Sequence, residues 1–145
     1  MFLDASAIVA IIGQEAAGSS LLRRISLAEL PVYYSSTVVF EAVIALARKK
    51  KISIYGEHST TPASLIEETQ DLVRAFLEQV DAVEVNLPVG LHQEALGAAK
   101  TFGRFVGHPA RLNFGDCFSY AAARSLKVPL LFVGDDFART DIEIA

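Results

Sequence analysis

The chain has 145 residues, 52% of them hydrophobic and 21% charged, with a formal net charge of −4; this is length and apolar content enough for one domain, residues 1–145, with a full core, and it lacks the signature of disorder. The acidic balance argues against a protein that coats nucleic acid by bulk charge, while leaving open an enzyme whose acids hold a metal and meet phosphate through it. No apolar run approaches the roughly 18 residues of a membrane span, no basic region precedes the first apolar stretch, and Cys117 is the lone cysteine, so a reducing, cytoplasmic setting away from the membrane is expected.

In chain order, "MFLD" reads as a short buried strand and "ASAIVAIIGQ" as the helix or turn after it, ending near Gly13. "EAAGSSLLRRISLAE" places Leu21, Leu22, Ile25 and Leu27 among charges, a helical pattern that Pro31 stops. "VYYSS" is strand-like in its aromatic and branched residues. Thr37 is the expected N-cap of a helix "VVFEAVIALARKK", with Glu41 in its first turns and its basic residues at the end that favours them. "KISIYGEHSTTP" reads as a loop. The clearest helix is Ala63 to Val80, with an apolar face of Leu65, Ile66, Leu72, Val73, Phe76, Leu77 and Val80. "AVEVN" is a further strand, and Pro88 is placed to open a helix through about Phe105. "GHPARLNFG" is a loop leading into a helix "DCFSYAAARSLK", and "VPLLFVG" is a strand apolar enough to be covered on both faces. Strands alternating with helices predict an α/β fold with a mainly parallel sheet.

Ligands of such sheets gather at the carboxyl ends of the strands, which directs attention to the acids. Asp4 ends the first strand, and Asp135 and Asp136 follow the last one after a single glycine. Glu41 and Asp116 lie near helix starts, which face the same edge. An acid at a helix start also has a plain explanation, since the helix dipole favours it by about 0.3–1 kcal/mol; an ordinary exposed position accounts equally well for Glu41. Asp4 is harder to explain so, because it interrupts an apolar stretch where an unpaired charge is costly. Gathered in one pocket, these carboxylates repel one another, and a hard divalent ion such as Mg²⁺ or Mn²⁺ resolves the conflict. His58, His92 and His108 lack the spacing of zinc ligands.

"MFLDASAIVAII", Glu41 within "VVFEAVIAL", "RLNFGDCFSYAAA" and "LLFVGDDFARTDI", in this order along nearly the whole chain, resemble the PIN domains, specifically the VapC toxins of bacterial toxin–antitoxin pairs. The resemblance implies a three-layer α/β/α sandwich and a Mg²⁺- or Mn²⁺-dependent ribonuclease. By position it makes Asp4, Glu41, Asp116 and Asp136 the acids of the site, with Asp4 and Asp116 on the principal metal, and Ser6, Asn113 and Thr140 as supporting polar residues. Asp136, directly before phenylalanine, is selected over Asp135. A homodimer and a VapB-like antitoxin are implied as partners, and Lys50 to Pro62 is the main departure from the family pattern. Arg104, His108 and Arg111, just before the Asp116 helix, are candidate contacts to RNA phosphates. Two other readings stay open: a non-catalytic PIN-like binding module, and an Asp-based phosphotransfer domain, which the haloacid-dehalogenase pattern disfavours because Ser6 stands where a second Asp belongs.

Overall fold

The computed structural model describes residues 1–29 and 31–145. Among them the order is β1 (Phe2–Leu3), α1 (Ala5–Ile12), α2 (Gly18–Ser26), β2 (Tyr33–Tyr34), α3 (Ser36–Tyr55), α4 (Ala63–Gln79), β3 (Val83–Glu84), α5 (Leu91–Phe102), α6 (Phe114–Leu126) and β4 (Leu130–Leu131). Single 3₁₀ turns lie at Arg104–Val106 and Phe137–Arg139. No helix among the described residues is long and apolar enough to cross a membrane.

The four strands form one parallel sheet in the order β3-β2-β1-β4. Neighbouring strand residues point to opposite faces, so the complete burial of Phe2, Leu3, Leu130 and Leu131 means that both faces of β1 and β4 are covered. The chain builds outward from β1 through β2 to β3, then returns across the sheet to place β4 on the other side of β1. The strand order therefore reverses between β1 and β4, where an open parallel sheet leaves its crevice. Register there is set by Phe2 opposite Leu130 and Leu3 opposite Leu131, with the Asp4 N–H donating to the Leu131 carbonyl at 3.0 Å. On the far side of β4, Ile144 bridges to Leu130 and covers that edge.

Several boundaries differ from the sequence reading. Ser35, not Thr37, is the N-cap of α3, and the two hydroxyls are bonded to each other at 2.8 Å. The segment "KISIY", read as loop, completes α3 as far as Tyr55. Packing overrides local preference here: Lys51 is buried and its Nζ donates to the Glu57 carbonyl at 2.8 Å, while Lys50 pairs with Glu68 on α4. Pro88 does not open α5, which starts at Leu91 after Gly90 and ends at Phe102. Helix α6 begins two residues before Asp116, at Phe114.

In the interior of α6, Ser119 Oγ is buried and has no hydrogen-bond partner among the described residues. Ser119→Ala removes that unsatisfied hydroxyl and improves helix propensity, so stability should rise by about 0.5–1 kcal/mol. A urea midpoint below that of the wild type would contradict this.

Candidate active site

Two of the acids are built into the starts of helices. Asp4 is the N-cap of α1: its Oδ2 accepts from the Ser6 N–H at 2.9 Å and from the Ser6 hydroxyl at 2.5 Å. The same hydroxyl accepts from the Val133 N–H at 3.0 Å, which ties the segment after β4 to the start of α1. Asp116 stands at the third position of α6 in a reciprocal capping box. Asn113 Oδ1 accepts from the Asp116 N–H at 3.1 Å, and Asp116 Oδ2 accepts from the Asn113 N–H at 2.7 Å. Capping and site geometry are thus one arrangement, because the bond that starts each helix also fixes the carboxylate. Asp4 is 3% exposed, and its buried Oδ1 has no hydrogen-bond partner among the described residues.

Asp4, Glu41, Asp116 and Asp136 line one pocket of about 280 Å³, together with Ser6 and Asn113. Glu41 comes from the second turn of α3 and lies against Gly115. A Cβ at position 115 would fall 2.0 Å from Glu41 Oε2, so only glycine leaves room for the carboxylate there. Asp136 reaches the pocket from the segment after β4. Gly134, at φ 102°, turns the chain, and buried Phe137 anchors the next residue, its ring 5.0 Å from that of Phe132. Asp135 is exposed and does not line the pocket.

The acids act on one another. Burial pushes the Glu41 carboxyl up from 4.5 to about 7, and the charges of Asp4 and Asp116 add to the push. Burial likewise raises Asp116 from 3.8 to about 6; the Asn113 backbone bond pulls it down, Asp4 and Asp136 push it up, and Arg104 pulls it down. These are the conditions that a cation relieves. The donors are hard oxygens, and Asp4, whose Oδ1 has no hydrogen-bond partner among the described residues, lines the pocket with the other acids, so the residues fit such an ion. Among the described residues no three acid, imidazole or thiol groups converge tightly enough to hold an ion by themselves.

The remaining candidates are placed as follows. The Thr140 hydroxyl donates to the Phe137 carbonyl at 2.7 Å and accepts from the Ile142 N–H at 3.2 Å, so it holds the turn after Asp136 rather than lining the pocket. Arg104 lines a groove beside the pocket. His108 accepts from the Ala110 N–H through Nδ1 at 3.1 Å, and Arg111 is exposed with φ 54°; neither lines the acid pocket or that groove. Cys117 is buried, and burial raises its thiol to about 11, which leaves it unreactive. Sequence reading missed Gly115, whose role depends on the approach of α3 to α6; a glycine directly before a helical acid was the available signal. It also missed Arg48, which lines the groove two turns beyond Glu41.

The PIN domain family matches residues 1–143. The chain is 40% identical over 141 residues to a VapC ribonuclease of Rhizobium meliloti, covering 97% of this chain and 98% of that one. It is 34% identical over 145 residues to ribonuclease VapC42 of Mycobacterium tuberculosis, covering 100% and 98%. Among solved structures it resembles Mycobacterium tuberculosis VapC20, described as a sarcin–ricin loop cleaving toxin, with a TM-score of 0.66, 16% identity and coverage of 99% and 97%. At that identity the structural likeness concerns the fold.

The raised carboxyls make the stability of the metal-free protein depend on pH. A carboxyl whose folded value exceeds its unfolded one contributes fully below the unfolded value and loses that contribution as pH climbs to the folded one. The windows run from 4.5 to about 7 for Glu41 and from 3.8 to about 6 for Asp116. Asp4→Asn keeps an N-capping side chain but removes a charge that raises both groups. In EDTA, thermal midpoints of variant and wild type should lie close together near pH 4 and separate in favour of the variant up to pH 8. A gap that is constant with pH would show that these acids are not coupled.

Proposed function

The chain belongs to the PIN-domain family, in its VapC branch, and on that premise we propose that it is a divalent-metal-dependent ribonuclease, the toxin of a toxin–antitoxin pair. The observation that carries this reading is the convergence of Asp4, Glu41, Asp116 and Asp136 on one pocket, with the buried Asp4 Oδ1 unpartnered among the described residues. Asp4 and Asp116 hold the ion, Mg²⁺ or Mn²⁺, each already oriented by the helix start it caps. When bound, the ion supplies the charge that meets the phosphate and the acidity that makes a water nucleophilic at neutral pH. Glu41, seated against Gly115, orients the attacking water, and Asp136 closes the pocket at its exposed rim. Ser6 keeps Asp4 in place and couples it to the segment that bears Asp136. No protein nucleophile is needed: the chemistry is an in-line attack by water on phosphorus.

A VapB-like antitoxin is the expected partner, and a basic side chain placed in the acid pocket would substitute for the ion's charge. A homodimer and a cytoplasmic setting complete the proposal.

Purified protein should cut RNA with Mg²⁺ or Mn²⁺, lose the activity in EDTA and regain it when the metal is restored. Asp136→Asn should lower the rate by more than tenfold, a demand of about 1.4 kcal/mol on the barrier, and Asp135→Asn should change it little. Cleavage indifferent to chelation would overturn the metal mechanism, and a larger loss at Asp135 would reassign the fourth acid.

Gly115→Ala separates seating from folding. Its Cβ meets the mobile end of the Glu41 side chain and not backbone, so the fold should keep its stability within about 0.5 kcal/mol while cleavage drops by roughly tenfold or more. Added to Glu41→Gln, the same substitution should cost nothing further. Additive losses would show that Gly115 acts independently of Glu41.

A further inference from the structure

The acid pocket adjoins a second space, most of whose walls have no part in the hydrolysis. Glu41 and Asn113 line both the pocket and an adjoining groove of about 630 Å³ between α3 and α6. The residue before Glu41 and the residue after Asn113 are both phenylalanines that face this groove, Phe40 at 71% and Phe114 at 68% exposure. Leaving such rings in water forgoes about 1.5–3 kcal/mol each, and two of them at the lip of a charged pocket call for a ligand. The Phe114 ring is backed by Phe118, centroids 4.9 Å apart, so it is braced while staying open to the solvent.

Charge accompanies these rings. Phe40, Ile44 and Arg48 follow one another at four-residue steps, which puts them on one face of α3, and all three line the groove with Arg104. Arg104 is held there because the Gly103–Leu112 bridge fixes the loop beside Asn113, with the Arg104 N–H donating to the Leu112 carbonyl at 3.0 Å. Its guanidinium lies 5.6 Å from the centroid of the Phe105 ring. The ion pairs among the described residues involve neither Arg48 nor Arg104. Two arginines thus flank exposed aromatic rings in a chain whose total charge is −4, local complementarity to a polyanion that the total hides.

We propose that this groove is a stacking platform for unpaired bases of single-stranded RNA, adjacent to the phosphate in the acid pocket; the proposal rests on the ribonuclease reading above. Phe40 and Phe114 take the bases, whose faces stack on aromatic rings without regard to sequence, and Arg48 and Arg104 take the flanking phosphates. Duplex RNA offers no free base faces and is a poor ligand. Phenylalanine and arginine also suit protein interfaces; what favours RNA is that the groove shares Glu41 and Asn113 with the acid pocket and that its two arginines make no ion pair among the described residues.

The test is binding of a fluorescent single-stranded oligoribonucleotide in EDTA, where it is not cut, against the same strand with abasic ribonucleotides and against its duplex. Removal of bases from the strand should weaken wild-type binding by about tenfold or more, and the duplex should bind as poorly as the abasic strand. Phe40→Ala and Phe114→Ala, both at exposed positions, should each weaken binding of the intact strand and lose most of their sensitivity to abasic substitution. Wild-type affinity indifferent to base removal, or variants that keep the full abasic penalty, would overturn the platform. So would variants with unchanged RNA affinity but an altered oligomeric state or lost antitoxin binding, which would make the face a protein interface. Cleavage in Mg²⁺ is read separately: base-dependent binding without any cleavage sinks the enzyme reading and spares the platform, and cleavage without base dependence does the reverse.

Discussion

Four carboxylates at one edge of a small sheet repel each other, and the way in which that repulsion is contained shapes much of the rest of the structure. Two of them, Asp4 and Asp116, are held by the backbone N–H groups of helix starts. A cap of this kind is worth about 0.5–2 kcal/mol, and the positive end of the helix dipole adds to it. Helix formation and the assembly of the acid pocket therefore draw on the same hydrogen bonds. Burial first, and the neighbouring charges after it, keep the Glu41 and Asp116 carboxyls raised. In the proposed ribonuclease, a cation held by these acids would relieve that penalty and so couple ion binding to stability.

The sheet supplies the place. Because β4 lies against β1 and not beyond β3, the ends of the first and last strands are neighbours, and residues more than a hundred positions apart share one crevice. The Ser6 hydroxyl makes this closure explicit, since it bonds to Asp4 and receives the Val133 N–H from the other strand's extension. Glu41 enters from α3, and its seat exists only because residue 115 lacks a side chain. The pocket is thus rigid along Asp4 and Asp116 and bordered by more exposed elements at Asp136 and Arg104.

Net charge is a poor guide to what such a molecule binds. The chain is acidic overall, yet four of its acids share one pocket, and Arg48 and Arg104 stand beside it without ion pairs among the described residues. A polyanion approaching this edge meets cations at the groove and, at the pocket, whatever positive charge the acids have collected. An apolar hollow of about 520 Å³ between α5 and α6 contains no acid, a contrast that marks the acid pocket by its chemistry and not by its size.

The sequence alone determined the alternation of strands and helices, the buried character of β1 and β4, and the identity of the acids that end strands or begin helices. Those features are local: an apolar run, a capping residue and a polar interruption are legible wherever they occur. Even so, local rules misplaced the end of α3, where Lys51 and its contacts extend the helix through "KISIY", which reads locally as loop, and the start of α5, where Gly90 and not Pro88 stands at the cap. Only the tertiary structure decided that the switch in strand order falls between β1 and β4 and that Gly115 makes room for Glu41. Each of these depends on the approach of segments distant in sequence, and the distance between two side chains on separate elements is set by packing, which no window of neighbouring residues contains.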